Sequence, residues 1–162
     1  TNLPGPMYCW YLRNTYLENN LVKPGKAVVC GVPVDLRKID VPTYVYASRE
    51  DHIVPWEGAY RNTQALSGKV RFVMGASGHI AGVINPPSAN KRSHWIGKTA
   101  ALPASSADWL AKATEHPGSW WTDWSGWLAT HAGKRIAAPK APGNRQYKAI
   151  EPAPGRYVKQ KA

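Results

Sequence analysis

Thr43-Tyr44-Val45-Tyr46-Ala47 runs directly into Ser48-Arg49-Glu50-Asp51-His52-Ile53-Val54-Pro55-Trp56, and Lys69-Val70-Arg71-Phe72-Val73-Met74 runs into Gly75-Ala76-Ser77-Gly78-His79-Ile80-Ala81-Gly82. The first apolar and aromatic run, counted from residue 41 to 47, fits a strand buried on both faces, and residues 69–74 fit a second. Between them residues 56–66 read as a helix that begins after Pro55. A strand–helix–strand order calls for a parallel pair joined by a right-handed crossover. Each strand ends in a loop that carries one group of catalytic type, Asp51 in the first and His79 in the second. The expected class is therefore α/β, with both loops at the carboxyl edge of the sheet, where open α/β folds place their sites.

Outward from this unit the pattern is less regular. Residues 6–21 read as a helix, with Pro6 in a tolerated first-turn position and Met7, Trp10, Tyr11 and Tyr8, Leu12 at three- and four-residue spacing. Residues 26–30, Gly31 and residues 32–36 read as a short hairpin turning at the glycine. After Gly82 the chain is expected to be loop-like as far as Lys98. Two more helices are expected, over residues 106–115 and 119–131. In the second, Trp120, Trp124 and Trp127 form one apolar face whose simplest use is packing against the sheet, with lipid or polymer contact as the alternative.

The chain has 162 residues, enough for one domain with a core of its own. It begins with Thr inside what reads as ordered sequence, which suggests part of a longer protein, and shows neither a signal peptide nor an apolar run long enough to cross a bilayer. Cys9 and Cys30 form no disulfide framework or metal-binding pair, so a reduced intracellular setting is the simpler expectation. Eight tryptophans beside a single phenylalanine imply large, partly amphipathic packing surfaces. The net charge is +11, and +7 of it lies from Lys134 onward, where eight basic residues face Glu151 alone. That Pro/Ala/Gly-rich stretch, residues 132–162, reads as a solvated, weakly ordered tail, or alternatively as a segment attracted to polyanions. Nucleic acid is disfavoured because no binding module or aromatic–basic signature accompanies the charge.

A histidine titrates near the working range and serves as a general base when one ring nitrogen faces the nucleophile and the other is held by an acceptor. A carboxylate as that acceptor fixes the tautomer and stabilises the imidazolium. Asp51 and His79 stand 28 positions apart, a spacing that one strand–helix–strand return can close. Glycines at 75, 78 and 82 are expected to let the His79 backbone turn sharply. Taken singly, Asp51 is explained as a cap for the following helix and His79 as a hydrogen-bonded loop residue. Together, in this order and setting, they point to catalysis. Glu50 competes for the acid role on position alone, and the D-x-x-V-P pattern favours Asp51. His52 is expected to orient the loop or contact substrate, with structural hydrogen bonding as the simpler role. The nucleophile is missing: no Gly-x-Ser-x-Gly or Gly-x-Cys-x-Gly elbow occurs, and Cys30 in its hairpin and Cys9 among aromatics read as small hydrophobes.

Asn2-Leu3-Pro4-Gly5-Pro6-Met7, residues 48–56, Gly75-Ala76-Ser77-Gly78-His79-Ile80-Ala81-Gly82-Val83-Ile84-Asn85-Pro86-Pro87, Gly118-Ser119-Trp120-Trp121 and Glu151-Pro152-Ala153-Pro154-Gly155-Arg156-Tyr157-Val158-Lys159 resemble the C-terminal part of poly(3-hydroxyalkanoate) synthases, most closely the short-chain, single-subunit type. The resemblance implies the C-terminal part of an α/β-hydrolase catalytic domain over residues 1–131. Residues 1–25 would be the end of its lid region, and residues 132–162 a basic tail. It also implies a Cys–His–Asp relay in which Asp51 is the acid and His79 the base. The cysteine would lie upstream of Thr1, so the chain alone would be inactive.

In the intact enzyme the implied reaction is acyl transfer from (R)-3-hydroxybutyryl-coenzyme A, or a close analogue, to sulfur and then to the hydroxyl of a growing polyester. Asp51 would either orient His79 or help deprotonate that hydroxyl. His52 and Tyr11 would be secondary candidates for the substrate channel, Tyr11 otherwise serving core packing. No cofactor and no metal are implied, the coenzyme A thioester being the substrate. A homodimer in the cytoplasm, associated with polyester granules, would be the working form. A generic α/β-hydrolase with a serine elbow and a non-enzymatic granule- or surface-binding module are the two alternatives.

Overall fold

The computed structural model describes residues 2–98 and 102–161. The chain divides into two compact units, Thr1–Leu128 and Ala129–Ala162. The first opens with helix α1, Gly5–Leu12, which continues in wider π-type turns over Arg13–Leu17. The single helix expected over residues 6–21 therefore stops early. Asn19 takes a left-handed conformation (φ 47°) that breaks it, and a short 3-10 turn, Asn20–Val22, follows. Strands β1 (Val28–Val29) and β2 (Val32–Pro33) pair antiparallel across Cys30 and Gly31. Both turn residues have positive φ, 49° and 81°, the pattern of a tight two-residue hairpin.

The central unit matches the expectation. Strands β3 (Thr43–Ser48) and β4 (Val70–Gly75) run parallel, in register from Thr43 opposite Val70 to Ser48 opposite Gly75. Two short helices cross between them, α2 (Trp56–Tyr60) and α3 (Asn62–Ala65). Beyond Gly82 the sequence reading is corrected twice. Residues 83–98 are not all loop, because Ser93–Gly97 forms strand β5, antiparallel to β4. The helix expected over residues 106–115 ends sooner: α4 covers Ser106–Lys112, and Ala113–Pro117 becomes strand β6, antiparallel to β5. Both segments are strands because a neighbour's backbone is there to pair with, a tertiary preference that outweighs local propensity. The sheet order is β3-β4-β5-β6. Helix α5, Trp121–Ala129, lies within the span expected for it. A mixed four-stranded sheet with helices fits the C-terminal part of an α/β-hydrolase fold.

Strand alternation sorts side chains to the two faces of the sheet. On one, Ala47, Phe72 and Met74 pack with Trp56 and Tyr60 of α2 and Trp109 of α4. Phe72 meets Tyr60 and Trp109 edge-on at 4.9 and 4.7 Å, the arrangement aromatic quadrupoles favour. Ser105 caps α4 by accepting a hydrogen bond from the Asp108 backbone N–H. On the other face, Tyr44, Tyr46 and Arg71 receive α5 and the residue before it. Trp120 stacks on Tyr46 at 4.2 Å and Trp127 meets Tyr44 edge-on at 5.4 Å, so these two carry the sheet packing expected of the tryptophan face. Trp124 is exposed beside Trp120.

Asp123 pins α5 to the sheet. It accepts hydrogen bonds from the Tyr44 hydroxyl and Arg71 Nε, each at 2.9 Å, and a second donation from the Arg71 guanidinium. Burial alone would raise the Asp123 carboxyl, but Arg71 and Tyr44 outweigh it and hold it below the usual carboxylate range. Asp123→Ala is expected to cost about 1–3 kcal/mol, because it strips a half-buried guanidinium and a phenol of their acceptor. A lowered melting temperature in the intact protein is the measurement. Replacing Arg71 and Asp123 together by apolar residues should cost less than replacing Asp123 alone.

In the second unit every described residue except Gly155 is exposed. Within it Asn144 accepts from the backbone of Gln146 and Tyr147, and Arg156 pairs with Glu151. Among the described residues no helix is long and apolar enough to cross a membrane.

Candidate active site

Because β3 and β4 are in register to their last residues, their loops leave the sheet at the same level. The zipper continues past the strands, with Arg49 N–H donating to Gly75 O at 2.8 Å and Glu50 N–H to Ser77 O at 3.0 Å. This brings Asp51 and His79 together: Asp51 Oδ2 lies 2.8 Å from His79 Nδ1. The other carboxylate oxygen, Oδ1, accepts from the backbone N–H groups of Ile53 and Val54 at 2.9 and 3.0 Å. The Asp51 side chain is 10% exposed and that of His79 46%. The hydrogen bond from Val54, with those from His79 and Ile53, brings the Asp51 carboxyl down to about 2. At neutral pH it is a carboxylate, which only accepts, so the contact places the shared proton on Nδ1. The other ring nitrogen, Nε2, has no hydrogen bond among the described residues. A cleft of about 170 Å³ opens here, lined by Tyr46, Ser48, Asp51, Val54, His79 and Val83 among others.

The glycines of the His79 loop work differently from the sequence expectation. None of Gly75, Gly78 and Gly82 takes a positive φ; the left-handed residue is Ser77, at φ 75°. Gly75 and Gly82 are needed for space. A Cβ at Gly75 would run into the Tyr46 ring, and one at Gly82 into Ser48 Oγ and the carbonyls of Gly78 and Ala76. Two of those obstacles at Gly82 are backbone and cannot swing aside. Gly82→Ala is therefore expected to destabilise the loop by about 1–3 kcal/mol and to displace His79. Faster amide hydrogen exchange over residues 78–84 than in the parent protein would register it.

Asp51, and not Glu50, meets His79; Glu50 is exposed and contributes only its backbone N–H. His52 is exposed, does not border the cleft, and its ring makes no hydrogen bond among the described residues, so the structural hydrogen bonding expected of it is absent. The core packing expected of Tyr11 as the alternative is not found: it sits exposed on α1, edge-on to Tyr16 at 5.8 Å, and is not among the residues lining this cleft. Cys9 and Cys30 are free and exposed, so they are not the small buried hydrophobes expected, and the clefts they border contain neither Asp51 nor His79. Sequence reasoning missed Tyr46 and Ser48, which line the cleft and whose hydroxyls lie 3.1 Å apart. Strand periodicity held the signal, since positions 44, 46 and 48 share a face.

No family model matches the chain. Curated proteins do. It is 68% identical over all 162 residues to the poly(3-hydroxyalkanoate) polymerase subunit PhaC of Cupriavidus necator, covering 27% of that protein. It is 42% identical over 158 residues to the subunit PhaC of Rhizobium etli, 98% of this chain and 24% of that protein. It is 43% identical to the poly(3-hydroxyalkanoate) polymerase of Methylorubrum extorquens, covering 26% of it. These matches bear out the resemblance that the two loops carry. The chain spans about a quarter of the length of the curated relatives it matches.

Proposed function

We propose that this chain is part of a poly(3-hydroxyalkanoate) polymerase and supplies the acid and the base of its Cys–His–Asp relay. The reading is supported most directly by one contact, the 2.8 Å approach of Asp51 Oδ2 to His79 Nδ1, with the rest of the carboxylate already fixed by Ile53 and Val54. The nucleophilic cysteine comes from outside these 162 residues. Nε2 of His79 takes the thiol proton, and sulfur attacks the thioester carbonyl of a (R)-3-hydroxyacyl-coenzyme A, 3-hydroxybutyryl-coenzyme A in the first instance. The carbon–sulfur bond to coenzyme A breaks, and its thiolate leaves with the proton from Nε2. In the second half His79 takes the proton of the incoming 3-hydroxyl, whose oxygen attacks the enzyme-bound acyl group. An ester bond forms, and the cysteine sulfur leaves and is reprotonated from His79.

Asp51 acts through His79 in this scheme. A carboxylate with its pKa near 2 is a weak base for an alcohol, and both of its oxygens already accept hydrogen bonds. Orientation of the ring and stabilisation of the imidazolium are what such a group does well. The partners that go with this reading are the hydroxyacyl-coenzyme A, the growing chain, a second copy of the enzyme and the surface of the polymer granule. No cofactor takes part.

Incubating the intact protein with 3-hydroxybutyryl-coenzyme A tests the proposal. Release of coenzyme A should accompany growth of an ester-linked polymer and a mass increase on a cysteine. Hydrolysis to free 3-hydroxybutyrate with the adduct on a serine would instead identify a generic α/β-hydrolase.

A further inference from the structure

We propose that Arg92, Trp120 and Trp121 form a three-donor clamp on the His79 loop and are positioning residues for the base; this rests on the role given to His79 above. Past His79 the chain makes two helical turns, Gly82 N–H donating to Gly78 O at 2.8 Å and Ile84 N–H to Ile80 O at 2.9 Å. The turns stop there, so the carbonyls of Ala81 and Gly82 have no following turn to receive them, while Val83 O takes the Asn85 N–H at 3.1 Å. Three side chains take the two open carbonyls and add donors to Val83 O. Arg92 donates a guanidinium N–H to Ala81 O, Trp120 shares its indole N–H between Gly82 O and Val83 O at 3.2 and 3.3 Å, and Trp121 donates to Val83 O at 2.9 Å.

The clamp is tied to the cleft as well as to the loop. Trp120 stacks on Tyr46, whose ring borders the cleft and whose hydroxyl lies against Ser48. Turning the indole away from Gly82 and Val83 would lift it from Tyr46. The His79 segment is thus held at both ends, by Asp51 on the imidazole and by the clamp three residues on. Simple core packing does not require such bonds. Trp109 is 2% exposed, and its indole N–H is the buried side-chain polar atom without a partner among the described residues.

The test uses the intact polymerase and the double variant Trp120→Phe/Trp121→Phe, which keeps aromatic bulk and removes both N–H donors. Small displacements of a catalytic base are costly, so kcat should fall about 10-fold or more while KM stays within about twofold. Trp109→Phe is the packing control and should lower the melting temperature with kcat retained. Arg92→Lys should keep more activity than Arg92→Met, because it restores a donor toward Ala81. A double variant with parental kcat, or one whose kcat tracks its melting temperature along the line set by Trp109→Phe, would overturn the clamp. His79→Gln run alongside separates the two ideas. If it too is active, the role of His79 fails; if it is dead and the double variant is not, only the clamp fails. Should the double variant not fold, Arg92→Met against Arg92→Lys decides.

Discussion

On the proposed mechanism, His79→Gln in the intact protein is expected to reduce acylation by on the order of 10⁴-fold or more, the loss seen when a nucleophile's partner base is removed. Glutamine is chosen because its amide can still donate to Asp51 Oδ2, the contact that His79 makes at 2.8 Å. The loop keeps that anchor, together with the Gly82 and Ile84 backbone bonds. What disappears is the basic lone pair. An amide nitrogen takes no proton from a thiol, so attack falls back on the small thiolate fraction an unassisted cysteine carries at neutral pH. A stopped-flow measurement of the first equivalent of coenzyme A released reads this step in isolation. A burst within tenfold of the parent enzyme would remove His79 from the chemistry.

The sequence announces the half of the sheet that bears Asp51 and His79, and conceals the other half. Strands β3 and β4 are covered by helices on both faces, so they read as mostly apolar and aromatic runs, broken in β4 by the Arg71 that meets Asp123, and the loops that follow inherit a definite position. Strand β5 begins with Ser93 and a buried His94, and β6 reads Ala113-Thr114-Glu115-His116-Pro117. Trp95, Ile96 and Thr114 suit a strand, but they are too few among Ser93, His94, Glu115, His116 and Pro117 to announce one. The pairing of β5 and β6 with each other and with β4 creates them, information that resides in the partner. The helix α4 boundary fails for the same reason, since Ala113 is as good a helix former as Ala111 until β5 is present. Glycine is ambiguous in another way. A Gly-rich loop tells of tight backbone, but whether φ or crowding demands the glycine depends on atoms from elsewhere, here Tyr46 and Ser48. Trp120 shows the limit most clearly: its packing was legible from its spacing with Trp124 and Trp127, while its bond to Gly82, like that of Trp121 to Val83, joins residues nearly 40 positions apart.

Asp51→Asn should lower kcat by about 10³- to 10⁴-fold, because an amide cannot satisfy both sides of this carboxylate at once. With its nitrogen toward His79 it donates to Nδ1, forcing the ring proton onto Nε2, where the base is needed. With its nitrogen toward the loop it confronts the N–H groups of Ile53 and Val54, donor against donor. The stability change carries a pH signature. The Asp51 carboxyl sits at about 2, below the usual value of about 3.9. Its contribution is therefore complete above about pH 4 and is lost as pH falls through about 2. The stability gap between parent and Asp51→Asn, followed by melting temperature, should close as pH falls from about 4 through about 2. The same variant separates two roles for Asp51. If the carboxylate orients His79, both acylation and chain elongation slow, because both use the imidazole. If it acts instead as the base on the incoming hydroxyl, the first equivalent of coenzyme A is released at the parental rate and only elongation suffers. A normal burst followed by stalled growth would reassign Asp51 to the hydroxyl.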